Sequence, residues 1–276
     1  MAKIAIDAGH GLKTDGKRCK KSLDSKETRE WVLNDRVSDA LATYLKSAGH
    51  TVKRVDDTDG STDMPLATRV KMAKDWEADF YISVHHNAGV NGGSGGGTIV
   101  YTCKNCSSKS LRAQEAIYRH AIQRGDLRGN RADGKPSSDF YVLKNTKTPA
   151  CLIECGFMDS STDIKYILNP EWSKQIALGI AEGICEVFGG KVETSAGGLN
   201  FASVAPFKIR VLADSLNIRE GAGAKYAVSG AIKDKGVYTI VDTAKASDGG
   251  TWGLLKSYQK KRNGWVNISP KYVKKI

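Results

Sequence analysis

The chain has 276 residues, enough for two domains that each bury a core, and a formal net charge of +12. No run approaches the ~20 apolar residues that span a bilayer, which excludes a transmembrane helix. The opening Met1-Ala-Lys-Ile-Ala-Ile-Asp7 lacks a basic start, a long apolar stretch and a cleavage-like site, which argues against a secretory signal and for synthesis in the cytoplasm.

In chain order, Lys3 to Asp7 reads as a short strand. Glu27 to Ala48 reads as a helix, with Leu33, Val37, Leu41 and Leu45 at helical spacing and Gly49 as its stop. Thr51 to Val55 is a second strand, Arg69 to Trp76 a short helix, and Asp79 to Val84 a third strand. Gly97 to Tyr101 is expected to be extended, Ser110 to Gln123 helical and Phe140 to Leu143 extended. Ala150 to Glu154 is a buried strand, and Trp172 to Phe188 a helix ending at Gly189-Gly190. Strands alternating with helices predict an α/β unit over residues 1–189, a mostly parallel twisted sheet with helices on both faces. The glycine run Gly92 to Gly97 lacks the Lys-Ser/Thr of a phosphate loop and reads as a turn.

Residues 190–206, rich in Gly, Ser, Thr and Ala, read as a flexible linker. Beyond it, residues 207–276 show only short strands: Phe207–Val211, Ser215–Ile218, Gly236–Val241, Thr251–Leu255 and Gly264–Ile268. This pattern predicts a small all-β barrel. From Phe207 onward 14 basic residues face 5 acidic ones, so nine of the twelve net charges fall there. Such a surplus favours an anionic polymer or surface as partner. Nucleic acid is disfavoured, since no binding motif is present and few aromatics are interspersed with the basic clusters. The six cysteines (19, 103, 106, 151, 155 and 185) read as reduced thiols. Cys103-x-x-Cys106 has no second pair to complete a zinc ribbon.

Three segments place a metal- or proton-handling side chain just after an apolar run: Asp7-Ala-Gly-His10-Gly, Ser83-Val-His85-His-Asn87 and Leu152-Ile-Glu154-Cys-Gly-Phe157. The carboxyl ends of strands are where open α/β sheets assemble their sites. His10 sits between glycines that permit a tight turn, and alone would pass for a surface-loop residue. His85 has a competitor in His86, on the opposite face of the strand. Glu30 shares the helix face of Leu33 and Val37, where a carboxylate is costly unless paired or metal-bound. A first-turn glutamate complementing the helix dipole is the alternative, although Glu27 fits that role better. Glu154 ends a run apolar enough for a central strand, where a desolvated glutamate is well placed as a general base. Its alternative is a salt bridge with Arg131, Lys144 or Arg69. Two imidazoles and carboxylates of this kind suit a divalent cation, zinc above all, in hydrolytic chemistry.

Together these residues resemble the zinc-dependent N-acetylmuramoyl-L-alanine amidases of the Amidase_3 family. The motifs appear in order: Asp-x-Gly-His-Gly at Asp7 to Gly11, Glu-x-x-x-Asn at Glu30 to Asn34 and Ser-x-His-x-Asn at Ser83 to Asn87. Pro65-Leu-x-x-Arg69, Phe140-Tyr-Val-Leu and Glu-x-Gly-Phe at Glu154 to Phe157 also match. The departures are the cysteines beside Glu154 and the Thr-Arg before Glu30, where Gly-rich sequence is common. The resemblance implies His10, Glu30 and His85 as ligands of Zn2+, with His85 chosen over His86, and Glu154 as the catalytic residue. It implies a peptidoglycan hydrolase that cuts between the lactyl group of N-acetylmuramic acid and L-alanine of the stem peptide, causing lysis.

Leu216-Asn-Ile-Arg-Glu-Gly, Gly236-Val-Tyr-Thr-Ile-Val, Thr251-Trp-Gly-Leu-Leu and Gly264-Trp-Val-Asn-Ile are similar to a bacterial SH3 (SH3b) module. That likeness implies a cell-wall-binding domain of SH3-like barrel fold, whose basicity suits anionic wall polymers. Trp252 and Trp265 read first as core residues. An enzyme joined to a wall binder is phage-endolysin-like in layout. It would act at the wall after release through a holin-type pore or by lysis. A host autolysin or sporulation lytic enzyme would share the chemistry, and an inactive wall-binding protein is the non-enzymatic alternative.

Overall fold

The computed structural model describes residues 1–130, 134–192, 207–219, 222–246, 249–255 and 264–276. Most of the expected linker, residues 193–206, therefore lies outside the described residues, as does Arg131. The chain divides into two compact units, Met1–Val192 and Glu193–Ile276.

In the first unit the elements are β1 (Lys3–Ala8), α1 (Glu30–Ser47), β2 (Thr51–Arg54), α2 (Leu66–Asp75), β3 (Phe80–Asn87) and β4 (Ile99–Tyr101). There follow α3 (Ser108–Gly125), α4 (Tyr141–Lys144), β5 (Ala150–Phe157), α5 (Ile164–Ile167) and α6 (Pro170–Phe188). The sheet order is β2-β1-β3-β5-β4. The pairings β1–β2, β1–β3 and β3–β5 are parallel, whereas β4 runs antiparallel to β5. Three of the four pairings are thus parallel, in keeping with the mostly parallel expectation, and the antiparallel β4 makes the sheet mixed. The cause is the glycine-rich connection from Asn87 to Ile99, which has no crossover helix to return the chain in the parallel sense.

Alternation along the strands sends side chains to two separate cores. Ile4, Ile6, Ile82, Val84 and Ile153 meet the apolar stripes of α1, α3 and α6 on one face. Ala5, Tyr81, Ala150 and Leu152 meet α2 and α4 on the other. Gly49 (φ +88°) ends α1 as expected, with its N–H on Lys46 O and the next N–H, of His50, on Leu45 O, both at 3.0 Å.

Two of the differences from expectation have a local cause. Helix α1 begins at Glu30, not Glu27, because the Asp24 carboxylate accepts the N–H groups of Lys26 (3.1 Å) and Thr28 (2.7 Å), and Glu27 takes a left-handed φ of +48°. That competing turn holds residues 24–28 out of the helix. Phe140 to Leu143 is a helical turn rather than extended, with the N–H groups of Leu143 and Lys144 both on Phe140 O. A four-residue apolar run does not distinguish the two states by periodicity.

The second unit holds β6 (Phe207–Val211), β7 (Leu216–Arg219), β8 (Val228–Ile232), β9 (Val237–Lys245), β10 (Thr251–Leu255), β11 (Trp265–Asn267) and β12 (Val273–Lys275). They form an antiparallel sheet in the order β12-β6-β9-β10-β11-β7-β8. Ile209, Val211, Ile240, Val266 and Val273 are among the residues of its core. Trp252 and Trp265 are buried together beside Ala222, so both are core residues. Strands β8 and β12 had no counterpart in the sequence reading: Val-Ser-Gly-Ala-Ile is mostly exposed and Val-Lys-Lys is short and basic, so neither alternates. All six cysteines are free thiols, and no helix among the described residues is long and apolar enough to cross a membrane.

At the end of β2 the buried Arg54 guanidinium donates to Asp35 (2.8 Å), Asp39 (2.6 Å) and Asp56 (2.8 and 2.6 Å). This hub joins β2 to α1, and Asp56 has no exposure of its own. Replacing Arg54 with Met is expected to destabilise the first unit by about 3–5 kcal/mol, because Asp56 is left as a buried unpaired charge. The urea midpoint of the variant against the parent measures it.

Candidate functional site

Strands β1, β3 and β5 lie side by side, so their carboxyl ends form one edge of the sheet. His10 follows β1 by two residues, His85 lies near the end of β3, and Glu154 lies on β5 directly opposite His85 in the pairing. Glu30 is the first residue of α1, brought to the same edge because the helix stripe packs on β1 and β3. The donor atoms of His10, Glu30 and His85 all lie within 4.8 Å of one another. His10 Nε2 is 3.4 Å from Glu30 Oε2, and His85 Nδ1 is 3.1 Å from Glu30 Oε1. The two rings meet edge to face at 5.0 Å.

His86 does not join them. It is buried on the other side of β3, where its Nδ1 donates to Asn34 Oδ1 at 2.8 Å. Asn34 in turn donates to Gly9 O (3.0 Å) and to Glu30 Oε1 (3.4 Å), tying α1 to the His10 loop.

His10 adopts φ +65°, a conformation that an L side chain takes at a cost, and it is held there by a network around Arg69 that the sequence reading did not connect to it. The buried Arg69 of α2 pairs with Asp7 (2.5 Å) and donates to Ala8 O (2.8 Å), His10 O (3.1 Å), Met64 O (2.8 Å) and Asp63 (3.0 Å). Asp7 also accepts from Tyr81 (2.8 Å) and Ser83 (2.7 Å) on β3. Burial opposes its charge, yet Arg69 holds the carboxyl below its ordinary range. Both residues stood in the quoted motifs; the available signal was an acid within an apolar strand, whereas Arg69 lies on a mostly exposed helix that buries only Val70 and Ala73 beside it. Arg69 thus answers Asp7 rather than Glu154, and among the described residues Glu154 has no ion pair. Gly9 leaves room for the second imidazole: a Cβ there would fall 2.0 Å from the His85 ring.

The electrostatics follow from burial and these partners. Burial, helped by the charges of His85 and Lys17 and opposed by Glu30 and Asp63, pulls His10 down to about 4, so its imidazole is neutral with a lone pair to offer. Burial resists ionisation of Glu30, but the hydrogen bond and charge of His85, with His10 and Lys17, bring it down to about 2. Burial disfavours the charged form of His85, yet Glu30 reverses this and raises it. Burial raises Glu154 to about 7, with Glu30 adding to the rise against His85 and Lys17. Oxygen Oε2 of Glu30 and Oε2 of Glu154 are both sealed from water without a hydrogen bond. An ionised, buried carboxylate oxygen with no donor beside two imidazoles is a fitting donor set for a divalent cation. A groove of about 430 Å³ opens beside the centre, lined by His10, His85, Thr14, Met64, Pro65 and Leu66 among others.

An α/β sheet with a His-Glu-His cluster at the carboxyl edge, a half-buried glutamate one strand away and an adjoining groove defines a hydrolase-type domain. Residues 4–186 match Amidase_3, N-acetylmuramoyl-L-alanine amidase, and the chain belongs to that family. It is 30% identical over 216 residues to the sporulation-specific N-acetylmuramoyl-L-alanine amidase of Bacillus subtilis (strain 168), covering 78% of this chain and 79% of that protein. To the endolysin of Bacillus phage SPP1 it is 30% identical over 190 residues, 68% of this chain and 66% of that one. The solved catalytic domain of CwlV, an N-acetylmuramoyl-L-alanine amidase from Bacillus (Paenibacillus) polymyxa var. colistinus, matches with a TM-score of 0.61 at 26% identity, over 69% of this chain and 100% of that domain.

Substituting Gly9 with Ala is expected to push the His85 ring from its place and abolish stoichiometric binding of a divalent cation, with the far-ultraviolet circular dichroism unchanged. Equilibrium dialysis against zinc measures this, and full stoichiometry in the variant would remove His85 from the centre.

Proposed function

We propose that this chain is a zinc-dependent amidase that cleaves peptidoglycan between the lactyl carbonyl of N-acetylmuramic acid and the amine of L-alanine in the stem peptide. The observation that carries the reading is the convergence of His10, Glu30 and His85 within 4.8 Å, with Glu154 on the neighbouring strand. His10, Glu30 and His85 would hold the metal through two neutral imidazoles and one carboxylate, leaving room for water. When bound, zinc acidifies water and polarises a carbonyl. Glu154 accepts a proton from the attacking water as its oxygen bonds to the lactyl carbon, then returns that proton to the alanine nitrogen as the C–N bond breaks. A carboxyl raised to about 7 by its surroundings exchanges protons readily near neutrality. The groove beside His10 and His85 supplies the surface against which the stem peptide lies.

The second unit is read as an SH3b-type wall-binding domain joined through the 190–206 linker. Its Asn-Ile-Arg-x-Gly opening, antiparallel sheet and surplus of basic residues support this. Attachment to an insoluble polymer raises the local concentration of the catalytic unit. Peptidoglycan is the substrate, and anionic wall polymers are the partners of the basic unit. The protein is read as an endolysin made in the cytoplasm and delivered to the wall by a holin-type pore or by lysis. A sporulation lytic enzyme is the second reading, favoured by the 30% identity to the Bacillus subtilis sporulation-specific amidase.

Digestion of purified peptidoglycan is expected to yield new N-terminal alanine without new reducing ends; reducing ends alone would replace this reading with a glycosidase. Glu154→Gln should retain zinc stoichiometry while losing about 10²–10⁴ in rate. Chelation should silence the parent and zinc should restore it. A version ending at Val192 should lose co-sedimentation with cell walls at low salt while keeping hydrolysis of soluble fragments, and unchanged co-sedimentation would place wall binding elsewhere.

A further inference from the structure

We infer that Lys17 is a further catalytic residue of this centre, an ammonium that meets the negative charge developing on the attacked carbonyl oxygen. The inference rests on the amidase reading above.

The backbone at Lys17 is pinned to the start of α1. Its carbonyl accepts the N–H of Glu30 at 3.0 Å, Arg18 bridges Arg29, and the N–H of Cys19 reaches Thr28 O at 2.9 Å. The side chain is therefore delivered to the centre by the same turn that positions Glu30. Its Nζ lies 3.8 Å from Glu30 Oε2, an ion pair longer than a hydrogen bond, and the side chain keeps 45% of its exposure. The neighbouring cations are committed elsewhere: Arg18 faces Glu27 at 3.4 Å, and Arg69 is buried against Asp7. The charge of Lys17 acts on Glu30, His10 and Glu154 alike, lowering all three, so the ammonium lies close enough to the centre to act on charge that develops there.

That position suits charge which appears only during reaction. With a divalent cation on Glu30, the glutamate no longer needs Lys17 as its counter-ion. A positive group on a flexible four-carbon stem is then left beside the reacting atoms. A donor aimed at charge absent from the ground state lowers the barrier without tightening substrate binding.

The test compares Lys17→Gln and Lys17→Arg with the parent full-length protein, on soluble peptidoglycan fragments, with zinc binding to the metal-free proteins followed by calorimetry. Lys17→Gln is expected to lower kcat roughly 100-fold with KM within about twofold, and Lys17→Arg to retain a tenth or more of the rate. Zinc affinity of Lys17→Gln should equal or exceed the parent's, since a like charge has been removed from the ligand cluster. A kcat within about threefold of the parent, whatever happens to zinc affinity, would reduce Lys17 to a counter-ion for Glu30 and overturn the proposal. So would a raised KM with kcat intact. Should Lys17→Gln not fold, Lys17→Met is measured in its place, and the same kcat and KM criteria support or overturn the proposal. A parent that releases no N-terminal alanine defeats the amidase reading itself, whereas an active parent with an equally active Lys17→Gln defeats only this inference.

Discussion

The Asp7–Arg69 ion pair is the constraint on which the rest of the centre depends. Both partners are sealed from water, so each charge is tolerable only because the other is present and the remaining polar atoms are filled by Tyr81, Ser83 and main-chain carbonyls. The pair ties three pieces of chain together: the end of β1, the floor of β3 and the first turns of α2. Because Arg69 also grips the carbonyls of Ala8 and His10, the loop after β1 has little freedom. A left-handed His10 persists there because the surroundings over-determine it.

Glu30 shows how a helix start can serve as a site. At the first residue of α1 its charge is favoured by the helix dipole, and the stripe of Leu33, Val37 and Leu41 drives the same turn against the sheet. The hydrophobic effect thus carries a carboxylate into a dry setting where two imidazoles already stand. One oxygen lies against His85, and the other is near His10 and Lys17 without a hydrogen bond. The neighbouring Glu154 is half-buried, with Oε2 sealed from water and unpartnered and no ion pair among the described residues, so desolvation raises it instead of a partner depressing it. Two carboxylates a strand apart are driven in opposite directions by their surroundings, which suits one to holding a cation and the other to moving a proton.

The two units differ in what holds them together. The first relies on a sheet covered on both faces, so that its site sits on rigid strands. The second is a thin antiparallel sheet whose described core centres on a few aliphatic residues and the Trp252–Trp265 pair. Its tryptophans are buried, and the sequence from Phe207 onward carries nine of the twelve net positive charges.

Much of this was legible in the sequence because it is written in local periodicity. The α1 stripe, the apolar strands, the glycine stop at Gly49 and the sequence break after Gly190 need only neighbours along the chain. His10, Glu30, His85 and Glu154 could be named because each follows an apolar run or lies on a helix face that periodicity predicts. What needed the tertiary structure were the relations between distant segments. The direction of β4 depends on where its loop lands, and the start of α1 depends on an Asp24 turn that outcompetes helix. The separation of His85 from His86 depends on which face of β3 meets Asn34 and which meets Glu30. The roles of Arg69 and Lys17 depend on partners far along the chain or across a turn, and no pattern of spacing encodes a contact whose energy comes from burial of both ends at once.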